Sequence, residues 1–177
     1  MQFKHPTHDE CIKIMMEYGT PTNVINHCKA VADAGLKIAF ALNNKGFNLN
    51  TALVLSAGLL HDIARVSEQH WNVGADYVSK IGYVKEAEII RLHMHHSHDT
   101  DPYKLTEIDM VCLGDRLITE DKYVGLDARM DYAIKKANGA KWIEDIINEK
   151  REINRILIQN IENIVEISLE ELILNEF

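Results

Sequence analysis

His61 and Asp62 stand side by side directly after ALVLSAGLL, one of the most apolar runs in the chain. A neutral polar side chain in such a run is costly unless hydrogen-bonded, and a carboxylate is costlier still unless it is paired or bound to a metal. Six of the nine histidines, His61, His70, His93, His95, His96 and His98, fall in one short part of the sequence. Residues at i, i+3, i+4 and i+7 of a helix share a face. By that rule His27 lies with Val24, Val31, Gly35 and Ile38, and Asp115 lies with Ile108, Val111, Cys112 and Ile118. Three helices thus each aim a metal-capable side chain toward the core.

Neutral imidazole and carboxylate together suit a divalent transition ion such as Mn, Fe, Co or Ni, whereas magnesium or calcium favours an all-oxygen cage. Four ligands, His27, His61, Asp62 and Asp115, leave open positions for water and substrate on a five- or six-coordinate ion. His70 and His93 are further candidates, as metal ligands or as phosphate contacts. His96, a further possible metal ligand, shares the helix face of Ile89, Ile90 and His93, with His95 roughly opposite. Arg65, one turn beyond His61, offers a planar fork to a phosphate. His95, His96 and His98 border the polar loop HDTDPYK and are expected in solvent or at the rim of the site, and His5 and His8 on the surface near an N-terminal cap.

Nearly every segment has helical spacing, and strict period-2 alternation bounded by turns is absent, so the expected class is all-α. A first helix is expected from about Thr7, where Thr7 and Glu10 fit a capping box, to Tyr18, with Gly19 as its stop. Thr22 is the expected cap of a second, through about Asn43 and ended by Gly46. The third, from about Asn50 to Val66, is apolar on nearly all sides, as befits the centre of a bundle. Shorter helices are expected near 70–81, 84–97, 106–119 and 127–138, with Gly82 and Gly139 as C-terminal stops. From about Lys141 to Leu174, Ile146, Ile153, Ile156, Ile161, Ile164 and Leu172 are spaced for one or two long amphipathic helices. That segment carries no candidate catalytic cluster and is assigned to packing or to self-association into a homo-oligomer.

Length fits one compact domain over 1–177. Apolar residues at 46% and charged residues at 26% place the chain among folded globular proteins rather than disordered ones. No apolar run reaches the ~20 residues of a membrane span, and the N-terminus MQFKHPTHDE has neither a basic nor an apolar targeting region, so no membrane association and a cytoplasmic location are expected. Cys11, Cys28 and Cys112 are odd in number and lack a CxxC, which points to small buried residues rather than a disulfide framework. A net charge of -8 argues against a nucleic-acid groove, which needs a concentrated basic surface. A small phosphorylated substrate remains compatible with it, held by a metal and two or three placed basic side chains.

His27, the doublet His61-Asp62, His70 or His93, and Asp115 in CLGDRL follow one another in an order and rough spacing that resembles the HD-domain superfamily of metal-dependent phosphohydrolases. The HxxxGA piece from His70 to Gly74-Ala75 and the IxxxH piece from Ile89 to His93 look like the subset with extra histidine ligands. The resemblance covers about residues 20–130 and leaves the C-terminal helices, about 141–175, outside. Two positions depart from the pattern: Arg65 stands where lysine is common, and Gly114 where alanine is usual. Neither removes a ligand.

The resemblance implies a helical bundle and hydrolysis of a phosphomonoester or phosphoanhydride, in a nucleotide, with one or two ions. His61 and Asp62 would serve the catalytic metal, which would bring the pKa of its bound water toward ~7. With His70 and His93 as ligands, a second ion about 4 Å away could clamp the attacking and leaving oxygens, and Asp62 could bridge the pair. Two rival readings remain: a di-iron oxygenase of the same superfamily, and a ligand-binding module without catalysis.

Overall fold

The structure, a computed structural model, describes residues 4–175. It is all-α apart from one short hairpin. Helices α1 (His8–Tyr18), α2 (Thr22–Asn44), α3 (Thr51–Leu60), α4 (His70–Lys80), α5 (Val84–Leu92) and α6 (Glu107–Asp115) precede strands β1 (Ile118–Thr119) and β2 (Lys122–Tyr123); α7 (Leu126–Lys136), α8 (Lys141–Val165) and α9 (Leu169–Leu174) follow. The Thr7–Glu10 capping box forms with both of its limbs, and Gly19 closes α1 at φ 88°, a left-handed conformation that glycine adopts without steric cost. At α2 the expected cap is displaced. Thr22 is already helical, and Pro21 at φ -59° and ψ 144° supplies its carbonyl to the amides of Val24 and Ile25.

The long helix α2 is the axis on which α3 and α6 pack. Close approach is possible because glycines lie at the crossings: a Cβ on Gly58 would stand 2.9 Å from the Ala32 Cα, and one on Gly114 would stand 2.6 Å from the Val31 carbonyl oxygen. Val31, Ile38, Leu42, Leu113, Leu157 and Ile161 form one apolar cluster that joins α2, α6 and α8. Met15, Cys28, Leu59, Leu60, Val78 and Ile90 form another on the side of α1, α4 and α5. All three cysteines are free and buried, as their spacing suggested. Lys37, donating to the Ile173 carbonyl at 2.7 Å, ties α9 back to α2.

Three elements are shorter than their periodicity indicates, and each shortening lies at the candidate site. Helix α3 stops at Leu60, and the chain continues through His61–Ser67 in tight turns, with amides of Ile63, Arg65 and Ser67 bonding three residues back. Helix α5 stops at Leu92 rather than 97. A loop follows that contains a single 3-10 turn at Pro102–Lys104, capped by Asp101. Helix α6 stops at Asp115, and the chain then folds into the β1–β2 hairpin, in which Ile118 pairs with Tyr123 and Thr119 with Lys122. Strands of two residues are too short to show an alternation in sequence. Among the described residues no helix is long and apolar enough to cross a membrane.

Candidate metal centre

His27 comes from α2, His61 and Asp62 from the turn after α3, His70 from the start of α4, His93 from the turn after α5, and Asp115 from the end of α6. Donor atoms of His27, His61 and Asp115 lie within 4.8 Å of one another, as do those of Asp62, His70 and His93. The six candidates thus form two adjoining triads. Within them, His27 Nε2 is 3.2 Å from Asp115 Oδ1, and Asp62 Oδ1 is 3.1 Å from His70 Nε2 and 3.6 Å from His93 Nε2. The other oxygen of Asp62 turns to the first triad, 3.7 Å from His61 Nε2. Ring centroids at 5.5 Å for His27–His61, 5.3 Å for His61–His93 and 5.6 Å for His93–His70 join the triads into one row of imidazoles.

Three of these rings are oriented by the main chain. Nδ1 of His27 donates to the Glu120 carbonyl at 2.7 Å, that of His61 to Gly58 at 2.8 Å and that of His93 to Ile90 at 2.7 Å. Each such bond fixes the tautomer and turns the Nε2 lone pair inward, which is how metal-binding histidines are held. Burial presses the His61 pKa down to about 4, so that its ring is neutral at pH 7. Burial alone would raise the carboxyl of Asp62, yet His61, His70, His93 and Arg65 hold it well below the usual range. Asp115 is likewise kept ionised by His27, Arg129 and His61 against its desolvation. The His27 pKa is raised, since the hydrogen bond and charge of Asp115 outweigh its own burial.

The neutral imidazole of His61 and the ionised carboxylates of Asp62 and Asp115 therefore face one another across the two triads. His61 Nε2 is buried without a hydrogen-bond partner, and Asp62 Oδ1, although 3.1 Å from His70 Nε2, makes no well-aligned hydrogen bond. Buried polar atoms are rarely left so. Divalent cations seated in the two triads would satisfy these atoms, and the mixed nitrogen and oxygen donors suit first-row transition ions. The residues fit such a group.

Arg65 stands at the mouth, its side chain 46% exposed and its Nε 3.3 Å from Asp62 Oδ2. His96 does not join the centre. Its Nε2 lies 2.6 Å from Asp109 Oδ1 instead, because the helix that would have stacked it on His93 has ended at Leu92. His98, expected at the rim, is buried on the same aspartate, whereas His95 is exposed with its ring against Trp71. His5 is also not a free surface residue: its Nδ1 lies 2.7 Å from the buried Glu86.

Two contributors have no signature in the sequence. Arg129 on α7 donates to Asp115 twice, through Nε to the carbonyl at 3.1 Å and through a guanidinium nitrogen to Oδ1 at 3.3 Å. Glu120, at φ 56° in the hairpin turn, acts through its backbone oxygen alone.

The HD domain family matches residues 24–175. The chain belongs to the HD-domain family. The match runs beyond the 20–130 stretch that carries the motif and takes in the C-terminal helices of this HD domain. An uncharacterized protein of Methanocaldococcus jannaschii is 37% identical over 71 residues, covering 38% of this chain and 42% of its own. A tRNA (cytidine(56)-2'-O)-methyltransferase of Thermoplasma volcanium is 35% identical over 80 residues, covering 44% of this chain and 22% of its own. The HD-domain chain thus spans less than half the length of either curated relative. No solved structure matches it.

Proposed function

We propose that the protein is a metal-dependent phosphohydrolase that cleaves a phosphomonoester or phosphoanhydride in a nucleotide. The observation that carries this reading is Asp62, an ionised, buried carboxylate that faces His61 with one oxygen and His70 and His93 with the other. His27, His61 and Asp115 would hold one ion and His70 and His93 a second, with Asp62 shared between them. When bound, such ions supply Lewis acidity, which polarises a phosphoryl oxygen and acidifies water at neutral pH.

The protein's own groups do the rest. The carbonyls of Glu120, Gly58 and Ile90 keep three imidazoles aimed inward, so no reorientation is needed when substrate arrives. Arg65 presents a guanidinium at the open side, where it can pair with a non-reacting phosphate oxygen of the incoming nucleotide. Arg129 holds Asp115 at both its main chain and its carboxylate and keeps that ligand from turning away. With a net charge of -8, the chain as a whole does not attract an anion, so local cations must do so.

The test is release of phosphate or pyrophosphate from a panel of nucleoside mono-, di- and triphosphates with manganese, cobalt or nickel under anaerobic conditions. Turnover that Asp62→Ala eliminates is the expected result. No release with any metal, or activity that requires iron and dioxygen, would overturn the assignment in favour of the non-catalytic module or the oxygenase.

A further inference from the structure

His96, His98 and Asp109 form a third group of donors that shares no residue with the two triads. His96 Nε2 and His98 Nδ1 converge on the same oxygen, Asp109 Oδ1, at 2.6 and 2.7 Å. The other oxygen of Asp109 is occupied by the backbone amide of Thr106 at 2.8 Å and its hydroxyl at 2.9 Å. The orientation of the carboxylate is thereby fixed, and its free oxygen is the one aimed at the two rings.

The loop that brings the rings together is also pinned. Arg116, from the turn after α6, donates to the His96 carbonyl at 2.8 Å and to Asn154 of α8 at 3.0 Å. The side chain of His98 is fully buried, with Nδ1 turned to Asp109 and Nε2, on the other edge of the ring, left without a partner. An irregular loop has thus carried an imidazole into the interior and set its Nδ1 beside a carboxylate of fixed orientation, where His96 also converges.

We propose that His96, His98 and Asp109 are a separate binding site for a divalent transition ion of the zinc type, which staples the α5–α6 connection. Two imidazole nitrogens and one carboxylate oxygen are a zinc donor set, with a fourth position open to water on the half-buried His96 side. Bond lengths near 2.0–2.2 Å put tetrahedral donors about 3.3 Å apart, so the pairs at 2.6 and 2.7 Å must open by about 0.6 Å. His96, whose side chain is 21% exposed, has the room to swing and open the first pair, and the second opens by a small shift of the loop that carries the buried His98. The ion would lock the segment that follows His93 onto the helix that ends in Asp115, and so brace ligands of the main centre from outside it. This inference does not rest on the reaction assigned above.

The experiment is zinc stoichiometry and calorimetric titration with zinc alone on full-length protein stripped with EDTA. Four proteins are compared: the wild type, a His27→Ala/Asp62→Ala variant that disables the main centre, that variant with His98→Ala added, and His96→Ala. The disabled variant should keep one equivalent per chain, which a further His98→Ala removes, and His96→Ala should bind one equivalent fewer than wild type. Because His96 is partly exposed, its variant should fold even if the double variant does not, and circular dichroism checks both. If His96→Ala binds as many equivalents as wild type, or if a folded His27→Ala/Asp62→Ala protein binds no zinc, the cluster is a hydrogen-bonded clamp and the proposal is wrong. If the main centre holds no metal at all, wild type should still bind the single equivalent that His96→Ala abolishes.

Discussion

Asp62 Oδ1 lies 3.1 Å from His70 Nε2, so a residue adjacent to His61 in sequence belongs to a different donor group from His61 itself. The turn after α3 makes this possible. His61 keeps helical dihedrals, φ -57° and ψ -35°, so the two adjacent side chains leave the chain about 100° apart and reach neighbouring triads. Asp62→Ala should therefore disrupt both triads, with turnover below detection and loss of bound metal. Stability should change by no more than about 1–2 kcal/mol, because Arg65, which pairs with Asp62, is half exposed and can be solvated in its absence. Steady-state kinetics and a urea melt on the same preparation check both halves.

Arg65→Ala should raise KM about tenfold and change kcat less. A charged hydrogen bond to a non-reacting phosphate oxygen contributes similarly in ground and transition states. A fall in kcat with KM unchanged would reassign Arg65 to holding Asp62.

Arg129→Ala should weaken metal binding by about 10–100-fold, the usual cost of losing a partner that orients a ligand. Calorimetric titration with manganese measures it. Arg129→Lys should restore little, since one ammonium cannot reproduce both guanidinium contacts to Asp115.

How legible this centre is from sequence varies residue by residue. His27 and Asp115 show themselves because each interrupts an apolar helical face, and α2 and α6 are regular up to those positions. The same periodicity groups His96 with His93, but α5 ends one residue before His93, and the two rings part. Pattern reading has no means of seeing a helix end that tertiary contacts impose. Arg129 and the Glu120 carbonyl are invisible for another reason: their contribution depends on a hairpin of two-residue strands returning the chain to α2, and no local spacing encodes that.

Gly114 is a departure from the family pattern that the packing explains. A methyl group there would stand 2.6 Å from the Val31 carbonyl and 3.3 Å from the Gly35 amide nitrogen. Gly114→Ala should cost about 1–3 kcal/mol as α6 is pushed off α2, despite the gain in helix propensity. It should also weaken metal binding, since Asp115 follows directly. A thermal melt and a metal titration read the two effects.

Acidification should destabilise the metal-free protein between pH 7 and 5. Burial lowers the pKa of both His61 and His98 from 6.5 to about 4. In that window the unfolded chain binds protons that the folded chain refuses, so stability falls as pH falls, by about 2 kcal/mol for each ring. His27, whose pKa is raised, acts in the opposite sense and offsets part of the loss. Urea midpoints in EDTA should decline across the window. The His98→Gln variant should show a shallower decline, and an unchanged slope would remove His98 from the account.

The most direct test of the central claim is anomalous scattering from crystals grown with manganese, with data collected near the metal edge. The account predicts one peak bounded by His27, His61, Asp62 and Asp115 and a second bounded by Asp62, His70 and His93, with donors about 2.0–2.3 Å from each. Saturating manganese that leaves no peak within reach of Asp62 would contradict it.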